Sequence, residues 1–435
     1  MNPFLSALLA AAIALGIVPL SLAAEPKPSR SITLDEALHL AVENDERIAV
    51  TEKEIRVAGL EKSRALTIVT PRADALGQYQ RPKTDIPPSV PEQTWRATFR
   101  VTQPLLDARV FPARKLGAEL EGAAKENFAF TVRAALLQVV ADYYNALRAR
   151  EQIKVSEKTL ELASKEVARA QARFKAGEAR NTEVLRAEVD EALAQRNLAF
   201  ARNDYQLILS QLGRRLGISA SEPFEVVDPK EEGKALGEDL KKLFDLALFR
   251  RNDLAFAKRQ VRIATERRNV TSNERLPTLD LEYNHRFLDP DSNTNRNNFW
   301  ELFVVANFDI WEGGQRTVTL KQQQLQIEQA QLRVRELEKL IETEIQQALL
   351  DLKLIEVTLK SVQKEVTLAQ TNFDTLSEQA RVGLATSLDV STALTALDRA
   401  RTELTRLLFQ REVARRNLEA AVGVFADEIV VKLKE

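Results

Sequence analysis

The chain has 435 residues, 62 basic and 63 acidic side chains and a net charge of −1, too balanced for a protein that holds nucleic acid or anionic lipid through bulk charge. It has no cysteine and only two histidines, His39 and His285, which excludes disulfides, thiolate zinc sites, cysteine nucleophiles and an N-terminal lipidated cysteine. His39 reads as a helix-face residue and His285 as a strand residue, and no cofactor, metal site or catalytic constellation is expected.

Residues 4–22, FLSALLAAAIALGIVPLSL, form an uncharged apolar run, and Ser21-Leu22-Ala23 fits a small-x-small cleavage site. Residues 1–23 therefore read as a secretory signal peptide; the alternative, a retained anchor, is disfavoured by Pro19 and the cleavage pattern. No other stretch approaches the ~18 to 20 apolar residues of a spanning helix. If the mature chain enters a membrane, it does so as strands.

From residue 31 the chain reads as one plan used twice, over 31–217 and 240–423, with a linker over 218–239 and a tail over 424–435. Anchors recur in order: Asn44-Asp45 with Asn252-Asp253, Pro71 with Pro277, Trp95 with Trp300, Gly177 with Gly383, and Gly217 with Gly423. Such self-similarity marks a repeat architecture.

Between helices, each copy has two strand-like segments, about 71–81 and 95–106 in the first. In the second of these, Trp95, Ala97, Phe99 and Val101 alternate with Arg96, Thr98, Arg100 and Thr102. That period of two gives one apolar and one basic or hydroxyl face. The joining loop from Arg81 through Pro88 is polar and rich in breakers. A long helix follows, with no Pro or Gly over residues 123–176.

At Gly177 a residue free to adopt positive φ ends that helix, and a tip over 177–182 leads into a returning one. Asn181 can cap the new helix, and Glu183 lies at its positive end. Ala194, Leu198, Ala201, Tyr205, Ile208, Leu212 and Leu216 then step by four and three residues, a narrow coiled-coil seam.

The second copy repeats each element. Its strands span about 277–287 and 299–311, with Leu279, Leu281, Tyr283 and Phe287 alternating with Asp280, Glu282, Asn284 and Arg286. The later strand is less regular, with Phe303 and Val305 on its nominally polar face. Residues 315–382 contain no Pro or Gly and would make a rod of roughly 100 Å if unbroken. The tip spans 383–388, with Ser387 as a cap and Asp389 in the role of Glu183. The seam continues through Ala400, Leu404, Leu407, Ala414, Leu418 and Val422, interrupted by Arg411.

The strands have the length of tilted transmembrane strands. Tyr79, Trp95, Phe287, Trp300 and Trp311 fall at strand ends, as an interfacial aromatic girdle requires. An open sheet edge cannot stand in lipid, and four strands cannot close a barrel when the smallest membrane barrels use eight. The chain must then share a barrel: a dimer would give eight strands and a trimer twelve. Arg96, Arg100, Asp280, Glu282 and Arg286, lining the lumen, favour the wetter, larger solution.

Three features together resemble the TolC-like outer-membrane efflux protein family over about residues 31–423. They are Ile32-Thr33-Leu34-Asp35-Glu36-Ala37-Leu38 followed by Glu43-Asn44, the two glycine tips each with an acid six residues on and Val after it, and the exit Trp311-Glu312-Gly313-Gly314-Gln315-Arg316. The resemblance implies a mainly helical homotrimer, with antiparallel hairpins forming a periplasmic α-barrel beneath a twelve-stranded β-barrel in the outer membrane of a Gram-negative bacterium. It implies a passive conduit for a tripartite efflux or type I secretion system, working with a periplasmic adaptor and an inner-membrane pump of RND, ABC or MFS type.

Carried onto this chain, adaptor contact falls at Gly177, Asn181, Gly383 and Ser387, and the entrance acids are Glu183 and Asp389. Where part of the family closes its entrance with Tyr and Arg, this chain has Ala380 and Ala385. The contrasting reading of the same residues is a secreted coiled-coil scaffold without a pore. An enzyme is the third reading, and lacks any reactive constellation.

Overall fold

The computed structural model describes residues 30–81, 94–219, 222–229, 236–288, 298–427 and 429–430. The signal-peptide segment, both strand-joining loops and the last five residues lie outside the described residues. The elements are β1 (Arg30–Ile32), α1 (Leu34–Asn44), α2 (Glu46–Leu66), β2 (Arg72–Gln80), β3 (Thr94–Leu106), α3 (Val110–Lys175) and α4 (Asn181–Leu216). They are followed, in the same succession, by β4 (Phe224–Val226), α5 (Leu240–Arg250), α6 (Asn252–Asn273), β5 (Thr278–Leu288), β6 (Asn298–Asn307), α7 (Gln315–Arg381) and α8 (Ser387–Val422).

The rods α3 and α7 set the architecture. Near the sheet α3 lies between α2 and α6, and farther away between α4 and α8, while α7 lies beside α6 and then beside α8. The result is a layer four helices wide, in the order α2, α3, α6, α7 near the sheet and α4, α3, α8, α7 beyond it. Each helix is antiparallel to its neighbours, because each long helix is joined to a returning one by a short tip. The first rod starts at Val110 rather than near residue 123: Pro112 occupies its first turn, where a missing N–H breaks no intrahelical bond.

Four helices meet end to end at the middle of the molecule. The C-terminus of α4 abuts the joint between α1 and α2, where Asn44 donates to the Leu216 carbonyl at 3.1 Å. The end of α8 abuts the joint between α5 and α6, where Arg251 donates to the Ala421 carbonyl at 3.1 Å. A Cβ on Gly217 would sit 2.7 Å from Asn44 Cβ, and one on Gly423 would sit 3.0 Å from the Arg250 carbonyl carbon. Glycine is needed at both places because the contacts are so close.

These contacts correct one sequence anchor. The joint residues equivalent to Asn44 and Asp45 are Arg250 and Arg251, not Asn252 and Asp253, because α1 ends at Asn44 and α5 at Arg250. The matching Asn-Asp pair is shifted by two. The ion pair at the joint is reversed in sign: Asp45 with Arg47 at 2.6 Å in one, Arg251 with Asp253 at 2.6 Å in the other.

The main core lies at this level. Phe128, Val132, Leu136, Val139, Tyr143 and Leu147 of α3 pack with α1, β1, β4 and the end of α4. Tyr143 is fully buried, and its hydroxyl lies 2.6 Å from the Val227 carbonyl and 2.9 Å from the Ile32 carbonyl. Burial pushes its pKa up to about 12. The hydroxyl thus ties the parallel β1–β4 ladder to α3. Phe425 and Val430, in the stretch read from sequence as a tail, are buried in this core.

Strands β2, β3, β5 and β6 form one antiparallel sheet in that order. Strand β6 ends at Asn307, which pairs with Thr278, the first residue of β5. With no partner residue beyond Thr278, the chain leaves the ladder, and Trp311 lies four residues outside the strand, 84% exposed. It does not end a strand as the sequence reading expected.

Candidate functional site

Two regions carry the sequence-derived residues, the faces of the sheet and the tips of the hairpins. In an antiparallel ladder, residues directly opposite share a face. The register pairs Tyr79 with Trp95, Ala75 with Phe99, Val101 with Tyr283, and His285 with both Phe99 and Trp300. These fall on one face with Phe287, Leu302 and Val304. The opposite face takes Arg72, Asp74, Arg96, Arg100, Asp280, Glu282, Asn284, Arg286 and Glu301, together with Phe299, Phe303 and Val305 of β6. All five proposed lumen residues therefore share a face, and four of the five proposed interface aromatics share the other, near the strand-joining loops.

The aromatics touch. The rings of Tyr79 and Trp95 are 4.9 Å apart, and Tyr283 stacks on Trp300 at 6.3 Å. On the polar face, Arg100 donates to Asn284 at 3.1 Å, and Arg286 pairs with Glu301 at 3.4 Å. At the base of that face a cleft of about 260 Å³ brings together Arg72, Asp74, Arg100, Asp107, Arg109 and Asp280.

Both hairpin tips close alike. Gly177 and Gly383 have φ of 76° and 78°. In the first tip, Glu178 N–H donates to the Arg173 carbonyl at 2.9 Å and Gly177 N–H to the Phe174 carbonyl at 3.0 Å. In the second, Leu384 N–H donates to the Gln379 carbonyl at 2.9 Å and Gly383 N–H to the Ala380 carbonyl at 3.2 Å. This pair of bonds satisfies the last free carbonyls of each descending helix, and only a left-handed residue permits it. The tips lie side by side, since a Cβ on Gly383 would be 3.9 Å from Arg173 Nη2.

The caps differ from the sequence expectation by one residue. Asn181 and Ser387 are the first helical residues; Arg180 and Thr386 hold the extended cap positions. The second tip has a reciprocal box in which Asp389 N–H donates to Thr386 Oγ1 at 3.3 Å and Thr386 N–H donates to Asp389 at 2.8 Å. Ser387 loses the cap because only Thr386 has an acid three residues on. At the first tip Arg180 has no side-chain acceptor, so its helix starts without a side-chain cap.

The Thr386 hydroxyl and backbone N–H hold the Asp389 carboxyl below its usual range. A carboxyl lowered in the folded state stabilises fully above its unfolded value and loses that contribution as pH falls through the lower, folded one. The protection of the amides over residues 384–392, taken relative to their intrinsic exchange rates at each pH, is accordingly expected to fall on acidification below about pH 4. Thr386→Ala should give the same loss of protection at neutral pH.

Glu183 is placed differently from Asp389. It pairs with Arg173 of its own hairpin at 3.6 Å. Ala380 is buried against Val390, Ala393 and Leu394. The two hairpins are joined instead one turn higher, by a link that sequence reading missed. Glu166 and Arg169 of α3 meet Ser377 of α7, with Ser377 Oγ donating to Glu166 at 2.7 Å and Arg169 to the Ser377 carbonyl at 3.2 Å. A second link runs from Thr159 to Asp398 at 2.6 Å. A small cavity of about 50 Å³, lined by Arg173, Glu183, Asp190, Ser387 and Ser391, lies between the hairpins beside the first link.

Among the described residues no group of three or more His, Cys, Asp or Glu side chains could hold a metal ion, and no helix is long and apolar enough to cross a membrane. The geometry is that of long paired rods joined to a two-faced sheet.

Comparison with known proteins gives the same picture. The chain is 24% identical over 368 residues to the outer membrane efflux protein BepC of Brucella suis, covering 83% of this chain and 79% of that one. It is 22% identical over 362 residues to the outer membrane protein TolC of Escherichia coli, covering 78% and 71%. Its fold matches the outer membrane protein VceC of Vibrio cholerae with a TM-score of 0.75 at 14% identity, over 90% of this chain and 96% of that one. The model of the outer membrane efflux protein family matches residues 37–217 and 243–424, and the chain belongs to that family.

Proposed function

We propose that three copies of the chain assemble into a passive export channel, with a shared twelve-stranded β-barrel in the outer membrane and an α-helical barrel across the periplasm. The observation that carries this reading is the sheet. It is apolar on one face and charged on the other, and both edge strands, β2 and β6, lack an outer neighbour among the described residues. Strand directions alternate across it, so β6 of one copy can pair antiparallel with β2 of the next and leave no edge in lipid.

The helical layer supports the same assembly. On α4, the side away from α3 exposes Leu185, Val189, Leu193, Phe200 and Leu207. On α7, the side away from α8 exposes Leu350, Leu354, Val357 and Leu368. Apolar stripes at both margins of an open layer suit a closed ring of copies. The repeated succession of elements, at a spacing of 206 residues between Gly177 and Gly383 and between Gly217 and Gly423, supports descent from one duplicated unit. Such a unit gives each copy two similar hairpins for the wall.

In this assembly the tips at Gly177, Asn181, Gly383 and Ser387 meet a periplasmic adaptor, and an inner-membrane pump of RND, ABC or MFS type delivers the cargo. Arg96, Arg100, Asp280, Glu282 and Arg286 line the barrel lumen. Glu183 and Asp389 lie at the periplasmic mouth. Their settings separate their roles: Glu183 is neutralised by Arg173, whereas Asp389 bonds to a neutral hydroxyl and keeps its charge.

In planar bilayers the channel should therefore prefer cations, and Asp389→Asn should lower that preference more than Glu183→Gln does. Reversal potentials under a salt gradient measure it. Equal potentials for the unmodified channel and both variants would remove the acids from the mouth, and absence of any conductance would remove the channel.

A further inference from the structure

Between α6 and α7, near the sheet, lies a groove of about 440 Å³. Its lining combines apolar side chains, Phe256, Ile263 and Ala330 among them, with three glutamines and with Arg267 and Arg333. Neither arginine has an ion pair or hydrogen bond among the described residues. That sets them apart from Arg259 and Arg262 on the same helix, both committed to Glu119 at 3.1 and 2.9 Å.

The spacing of the two free guanidinium groups follows from the helix register. Gln323 of α7 donates to Thr271 of α6 at 2.9 Å, and the helices run antiparallel, so Arg333 lies level with residue 261. Arg267 and Arg333 are then six residues apart along the groove, about 9 Å. Grooves of ~300 to 1,000 Å³ with apolar walls and a few polar groups are the usual form of small-molecule sites.

The geometry points to a binding site for an amphipathic organic anion, with its apolar body along Phe256, Ile263 and Ala330 and its acid group on Arg267 or Arg333. A length of about two fused rings fits between the two charges. A cation is disfavoured by both arginines, and a simple inorganic anion makes no use of the apolar side chains. The inference rests on the export reading only for the origin of the ligand, as cargo passing along the wall, because the groove is complete within one chain.

The test is equilibrium dialysis of 2-naphthalenesulfonate against the purified full-length assembly in a neutral sugar detergent. The double variant Arg267→Gln/Arg333→Gln should weaken binding at least fivefold while changing the binding of neutral 2-naphthol by less than twofold. Ala330→Trp, which fills the groove, should reduce both. Equal affinity of the unmodified protein and the double variant for the sulfonate would overturn the site, as would no measurable binding at millimolar concentration. Dialysis needs no pore, so a failure here is distinct from a failure to conduct.

Discussion

Arg133→Met should be the most damaging single substitution outside the four-stranded sheet. Arg133 projects from α3 into the region where α8 ends. Its Nε donates to Asn252 at 3.0 Å, its Nη1 to the carbonyls of Gly423 and Phe425 at 2.7 Å each, and its Nη2 to Asp427 at 2.5 Å. Asn252 in turn donates to Glu126 at 2.6 Å. Methionine would fill much of the volume but leave two carbonyls, an amide and a carboxylate without their donor. The side chain of Arg133 is 14% exposed, so water replaces those bonds poorly.

Breaking such a pair from one side costs about 3–5 kcal/mol. The expected outcome is a clear fall in the temperature at which helical circular dichroism is lost, and early protease cleavage after residue 423. Arg133→Lys should lie between the two, because a lysine can meet Asp427 or one carbonyl but cannot spread over four acceptors. A variant as stable as the unmodified protein would mean that the end of α8 is held by its apolar residues alone.

The second large effect concerns the two faces of the sheet. Val304→Arg and Leu302→Arg place a guanidinium on the face with Phe99, Tyr283 and Trp300. On a surface that meets lipid each should cost about 2–4 kcal/mol near the mid-plane, enough to deplete the assembled barrel from the outer-membrane fraction. Val305→Arg and Thr102→Arg put the same new side chain on the opposite face, across from Asp280 and Glu282, and should assemble normally. The comparison holds strand propensity and charge nearly constant and changes only the face. Equal assembly of both sets would mean that the apolar face does not meet lipid.

The features legible in the sequence were those with local periodicity. Alternation by two residues placed Trp95, Phe99 and Val101 apart from Arg96 and Arg100, and it foresaw Phe303 and Val305 on the polar side of β6. Glycines that must adopt positive φ marked both tips. Absence of Pro and Gly marked the rods, although α3 begins before its own proline and glycines because Pro112 falls in the first turn.

What escaped was set by partners distant in the chain or by a single residue of phase. Thr386 rather than Ser387 caps α8, a choice decided by which of two hydroxyls has an acid three residues on. Trp311 left the sheet because its neighbour strand starts at Thr278, a fact of pairing rather than of composition. Asn44-Asp45 and Asn252-Asp253 stand two residues out of step relative to the helix joints, which only the packing of Gly217 on Asn44 and of Gly423 on Arg250 makes visible. The Glu166–Arg169–Ser377 link and the Arg133 cluster join residues more than 100 apart and leave no periodic trace.

A pore here requires several chains to share one wall. The direct measurement is the mass of the purified particle by native mass spectrometry after release from neutral detergent. Three chain masses per particle is the predicted result. A single chain, stable in water without detergent, would contradict the shared barrel and with it the channel.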